Sequence, residues 1–339
     1  MNNEFTLIQD LLLEVLPTWR PRSSHGLTLV PLFGSVPAPD HLLASEAIEQ
    51  KLLTIKELDQ ESVPQLIAHN KANLPVLLLD GEHLEGAKQN RIMNASALIA
   101  AKHKTVLPVS CVEAGRWHYE SQEGFQPSSD LAYSRLRARN TVEVVNSLRS
   151  DSPRYVDQGA VWEDVATLHE ERGVQYSPSG AMSDAFETSR VELDKILSEL
   201  AAPEDGQTGV IACVGGTPVA LDLFDRPATL EKIWKRLVSG YAMDAVGSEA
   251  TDLKEETVKA FLADAVAGEA TQHAGIGLGV DVVITGTNTI GNALTFDDGI
   301  VHLALFPRQQ EDKGTDEAGS RIASPRRRRS RHLEAGYCE

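Results

Sequence analysis

The chain has 339 residues, 42% of them hydrophobic and 24% charged, with a formal net charge of −17. That length suffices for two domains, and the composition is that of an ordinary globular protein. The negative charge argues against a nucleic-acid partner, because a phosphate backbone is repelled except at a local basic patch.

No run approaches the roughly 18–20 apolar residues needed to span a bilayer. The N-terminus, MNNEFTLIQDLLLEVL, carries acids where a signal peptide needs positive charge. The three cysteines, Cys111, Cys213 and Cys338, follow no pattern. The expectation is a cytoplasmic, reducing environment with no disulfide framework. Neither CxxC nor HExxH occurs, so no local metal or redox motif is assigned and the cofactor stays open.

In chain order, residues 4–16 have helical spacing, and Pro17 and Pro21 end that helix. LTLVPLF, from Leu27, reads as a strand. A loop at Pro37–Pro39 and a helical turn at Ser45–Gln50 follow. Further short strands are expected near Leu52–Leu58, Val63–Asn70, Pro75–Leu79 and Thr105–Val112. This spacing predicts a sandwich-like or barrel-like sheet over residues 1–125. Residues 130–200 show apolar positions three and four apart in three segments, with Asp157 placed to cap the second. Arg135, Arg137 and Arg139 read as a solvated helix face.

The last third returns to strands. GVIACVGGTPVALDLF predicts a hairpin about Gly215–Gly216. Pro227 opens a helix, with Asp225 as its expected cap, and Asp222 and Asp225 form an acidic pair open to a metal reading. Asp252 is the expected cap of a helix over 252–267. Three strands follow, the last two turning at Asp297–Gly299. The fold class expected is α+β: an N-terminal sandwich-like sheet, a helical middle, and a C-terminal α+β layer spanning 126–306. A polar tail, 307–339, contains RRRRSR at 326–331 and reads as disordered. GIGLG lacks the following helix that a dinucleotide fingerprint needs.

One stretch concentrates polar chemistry. Between the strands PVLLL and TVLPVSCV lie Glu82, His83, Glu85, Lys88, Gln89, Asn90 and Arg91, and beyond them Glu113, Arg116 and Trp117. If the strands form a meander, the two groups meet. Arg91 and Arg116 then suit a carboxylate or phosphate. Lys88, Gln89 and Asn90 add further polar contacts, Trp117 offers a stacking face, and Glu82 and Glu113 are candidate general bases or metal ligands. The competing reading makes these same residues salt bridges that lock a sheet corner. Cys111 and Cys213 read as buried and inert. His69, His83 and His103 are ligands only if the fold gathers them.

LDGEHLEGAKQNRIMNAS and PVSCVEAGRW resemble the ARG-and-rhodanese-phosphatase-associated protein family, in which ARG denotes ADP-ribosylglycohydrolase. GGTPVALDLFDRPATLEKIWKRLVSGYAMDA resembles it too. The resemblance covers residues 25–306 and implies work near ADP-ribose or nucleotide metabolism, without assigning catalytic residues. The expected function is binding or processing of a small anionic ligand of the nucleotide or ADP-ribose type, with a non-catalytic accessory or protein-interaction module as the alternative.

Overall fold

A computed structural model describes residues 3–14, 19–58, 62–116, 124–150 and 152–308. The chain begins with α1 (Asn3–Glu14), β1 (Arg22–Ser24), β2 (Leu27–Leu32), β3 (Leu42–Leu43) and α2 (Ala44–Glu49). Nine of its next elements are strands or lead out of them: β4 (Leu53–Glu57), β5 (Gln65–Asn70), β6 (Val76–Leu78), β7 (His83–Gly86), β8 (Arg91–Met93), β9 (Ala97–Ile99), β10 (Lys104–Cys111) and β11 (Phe125–Pro127), then α3 (Ser134–Arg149). The helical stretch continues with α4 (Gln158–Arg172), α5 (Met182–Thr188) and α6 (Arg190–Glu199). The last third holds β12 (Gly209–Val214), β13 (Thr217–Phe224), α7 (Pro227–Ala245), α8 (Glu255–Val266), β14 (Glu269–Ala274), β15 (Ile276–Gly277), β16 (Val280–Thr285), β17 (Thr289–Phe296) and β18 (Gly299–Pro307). The class is α+β. No helix among the described residues is long and apolar enough to cross a membrane.

The largest sheet is antiparallel, in the order β1-β2-β12-β13-β18-β17-β16-β14. Both faces of its central strands are covered, so these strands, unlike the polar edge strands β1 and β14, are near-continuous apolar runs. Side-chain alternation divides them between two cores. Val210, Ala212, Ala220, Ala304 and Phe306 pack with α3, α4 and α7. Ile211, Cys213, Leu221, Leu303 and Leu305 pack with α1 and α8. The β12–β13 and β17–β18 turns, Gly215–Gly216 and Asp297–Asp298, have positive φ at both central residues, the geometry that matches strand twist in two-residue hairpins.

A second antiparallel sheet has the order β11-β7-β8-β10-β5-β4. It curls until its first and last strands approach. A side chain at Gly124, just before β11, would meet the Ile55 carbonyl of β4 at 2.5 Å. A four-stranded sheet, β15-β9-β6-β3, shares its core: Ile55, Leu66, Val109, Val76 and Ile99 belong to one cluster.

Several sequence expectations need correction. A domain boundary at 125 does not hold, because β2 pairs with β12 across the gap, Leu32 opposite Gly209. The described residues up to Arg308 form one compact unit. The N-cap position of the helix that Pro227 opens is Arg226, not Asp225, and that of α8 is Lys254, not Asp252, and neither side chain makes a capping hydrogen bond. Asp225 accepts instead from the Thr229 hydroxyl at 2.8 Å. Arg137 does not lie on a solvated face: it is 2% exposed. Asp157 does cap α4, accepting from the Gly159 and Ala160 amides, and Cys111 and Cys213 are buried and free. The basic run in the tail lies outside the described residues.

Candidate functional site

The polar signature folds as a tight hairpin. β7 and β8 pair antiparallel and β8 continues onto β10, with Arg91 opposite Cys111. That pairing brings residues 89–91 to residues 113–116, the meeting a meander predicts. Arg116 donates to both Glu113 carboxylate oxygens, at 2.8 and 2.7 Å, to the Ala87 carbonyl at 2.8 Å and to Asn90 Oδ1 at 3.1 Å. The Asn90 amide donates to Glu113 at 2.9 Å, and the Gln89 side chain to the Glu113 carbonyl at 2.9 Å. Burial pushes the Glu113 carboxyl up; the bonds from Arg116 and Asn90 outweigh it and hold the group below its ordinary range. The fork expected to grip a ligand is thus bound within the protein. Lys88 is half-buried in the hairpin turn, and Trp117 lies outside the described residues.

Arg91 and Glu82 diverge from this knot. Arg91 is fully buried, donates to Gln89 Oε1 at 3.2 Å, and faces the Glu57 carboxylate at the end of β4 at 3.8 Å. Glu82 accepts from Arg236 of α7 at 2.5 Å. His83 is buried with no hydrogen-bond partner on either ring nitrogen. Burial lowers its pKa; Glu85 and Asp130 oppose that and Arg236 adds to it.

A second polar centre joins the signature to the large sheet. Asp222 on β13 and His302 on β18 share the face that packs on α3, where alternation also points Ala220 and Ala304. Arg137 on α3 donates to Asp80 at 3.0 and 3.1 Å and to Asp222 at 3.0 and 2.6 Å. His302 Nε2 lies 2.9 Å from Asp222, and Nδ1 2.9 Å from the Ser96 hydroxyl. The Tyr241 hydroxyl donates to Asp222. Burial raises the Asp222 carboxyl, but the Arg137 charge and the His302 bond carry it well below the usual range. Gly81 makes the packing possible: at φ +72, its missing side chain would meet Arg137 Cγ at 2.7 Å.

Two chemical readings of this centre fail on geometry. Asp80, Asp222 and His302 present ligand atoms within 4.8 Å of one another, a spacing that suits a small cation. Arg137, however, already spans both carboxylates and supplies the positive charge. The line Asp222–His302–Ser96 has the order of an acyl-transfer relay. Ser96 is 4% exposed, and the cavity that it lines with Asp80 and Asn94 measures about 20 Å³, room for one water and no substrate. The centre locks α3 to the sheet.

A third feature is open. On the outer face of β4, β5 and β10, a groove of about 370 Å³ is lined by Thr54, Lys56, Glu57, Leu58, Ile67, His69, Lys71 and Lys104. Thr54 stands opposite His69, and His69 opposite Lys104, in one row across three strands. Lys56 follows Thr54 on the same face. Sequence reasoning considered His69 only as a metal ligand and passed over the lysines, since no local motif joins residues 50 positions apart. The signal for the central lock was plainer: single charges interrupting apolar strands in VALDLF and GIVHLALF.

The family model of the ARG and Rhodanese-Phosphatase-superfamily-associated Protein domain, ARPP-1, matches residues 17–306. The chain belongs to the ARPP-1 family. No curated protein and no solved structure matches it. The ARPP-1 match contains the signature hairpin, the groove and the Arg137 lock, and it ends at the last buried residue of β18.

Proposed function

We propose that this ARPP-1 chain is a cytoplasmic protein that binds a small anionic ligand of the nucleotide or ADP-ribose type in the cationic groove. The observation that carries the reading is the gathering of Lys56, Lys71, Lys104 and His69 around one concavity on a chain of net charge −17. An anion approaching such a molecule is repelled over most of the surface and attracted at a local cluster. The groove's volume falls in the range of small-molecule sites, about 300–1,000 Å³. The ADP-ribose side of the proposal rests on the family's association, and the reducing compartment on the two free buried cysteines.

The geometry favours binding over turnover. Glu82 and Glu113, the candidate bases, are each engaged by an arginine. This supports the accessory alternative as well: a module that holds a ligand for another protein.

Calorimetric titration with ADP-ribose and with inorganic pyrophosphate tests the proposal. Both should bind, more weakly as salt rises. The Lys56→Gln/Lys104→Gln double variant should lose about thirtyfold in affinity, the size of two solvent-screened charge contacts of about 1 kcal/mol each. Absence of binding to the unaltered chain, or equal affinity of the double variant, overturns it.

A further inference from the structure

The groove changes chemically along its strands. Thr54, His69 and Lys104 form one row across β4, β5 and β10, and the next row on the same face is Lys56, Ile67 and Val106. Two residues of extended chain separate the rows, about 7 Å. Lys71 lies beyond the first row and Leu58 beyond the second, and both line the groove. Lys102 Nζ donates to the Lys71 carbonyl at 2.6 Å, so a further ammonium stands at the end that holds Lys71 and Lys104. One end is therefore cationic and the other aliphatic. Glu57 alternates to the inner face, opposite Leu66, where Arg91 meets it at 3.8 Å.

The aliphatic end is open to solvent. Val106 is 45% exposed, and Ile67, opposite it, is half-buried and lines the groove. A single exposed apolar side chain needs no explanation. These two, however, stand side by side on neighbouring strands, one row from the cations. Opposed side chains on paired strands lie about 5 Å apart, and β-branched ones are stiff, so the pair makes a firm apolar platform. Neither side chain donates or accepts a hydrogen bond, so the platform suits the face of a ring and not its polar edge. A bare phosphate or a phosphosugar bound on the first row leaves this surface wet. A nucleotide bound there carries its base far enough to cover it, and covering apolar surface is favourable.

We infer that the groove selects nucleotides, with the phosphate on the Thr54–His69–Lys104 row and the base lying on Ile67 and Val106. The inference rests on the proposed anion-binding function of the groove. It narrows the ligand class to phosphates that carry a planar ring, and it makes Ile67 and Val106 the residues that set this preference.

Calorimetric titration with AMP and with ribose 5-phosphate tests the inference, because the two probes share phosphate and sugar and differ only in the base. The unaltered chain should bind AMP about tenfold more tightly, which corresponds to roughly 60 Å² of apolar surface leaving water. Ile67→Thr/Val106→Thr keeps β-branched shapes and strand preference while placing hydroxyls on the platform. It should weaken AMP about fivefold and leave ribose 5-phosphate unchanged. Val106→Tyr adds an aromatic face for the base and should tighten AMP about fivefold without moving ribose 5-phosphate, a gain that misfolding does not produce. Equal affinity of the two probes for the unaltered chain overturns the inference, as does AMP binding that neither platform variant changes. Equal losses of both probes in the threonine variant, at the native Tm, overturn it too, since the platform then shapes the groove and holds no base. The Lys56→Gln/Lys104→Gln variant separates the two readings. If it weakens both probes while the platform variants move neither, the groove binds anions and the base assignment falls. If it too leaves both unchanged, the groove reading itself falls.

Discussion

Arg116 shows how a residue chosen as a ligand clamp becomes a structural one. Its guanidinium reaches a carboxylate, a side-chain amide and a backbone carbonyl in one buried corner. An ammonium cannot serve that planar set of acceptors. Arg116→Lys should therefore cost about 2–4 kcal/mol in urea unfolding, close to the range for breaking a buried ion pair, with the m-value unchanged. Asp244 provides a pH test. It accepts from the Ser134 amide at 2.6 Å, and burial pushes its carboxyl up to about 6, against that bond. Its unfolded value is near 3.9, so between about pH 4 and 6 the folded state binds more protons than the unfolded one. The group's contribution is fully present below the unfolded pKa and is lost as pH rises through 6. Asp244→Asn keeps an acceptor and removes the titration. Its Tm relative to the native chain should rise across that window and level off above it; a constant difference from pH 4 to 8 would contradict the assignment.

At the scale of elements, turns offer the cleanest intervention. Asp297 and Asp298 join β17 to β18 with φ of +53 and +61, a conformation in which Gly is favoured at the second position. Asp298→Gly should raise stability by about 0.5–1 kcal/mol, read as a shift in the denaturation midpoint. These turns were legible in the sequence, as were α4 with its Asp157 cap and the strands that alternate or run apolar between Gly and Pro signals. The order of strands in the sheets was not. Nothing local in LTLVPL says that it lies beside GVIACV. The exposed strand β14 escaped for a related reason: EATQHA has too few apolar positions to show a period, and its place comes from pairing with β16. The candidate site was half legible. The meeting of residues 89–91 with 113–116 follows from a meander, whereas the lysine groove depends on the register of three strands and the Asp80–Arg137–Asp222 lock on tertiary packing.

For the whole molecule, every described strand and every described core residue lies before residue 309. A chain ended after Arg308 should keep the full-length Tm, since Arg308 still supplies its amide to the Asn288 carbonyl at 2.8 Å; a drop of several degrees would show that the remaining residues support the fold. The pairing of β2 with β12 has a consequence in time. The two strands are separated by nearly the whole N-terminal half and the helical stretch, and β13 must then find β18 near the end of the family domain. Contacts of such long sequence separation slow folding, because loop-closure entropy is lost before they form. On the ribosome, the first strands wait with their apolar faces uncovered until the last hundred residues have emerged. A nascent chain arrested after the helical stretch should be open to protease near Leu27–Leu32, and should gain protection only when β18 is released.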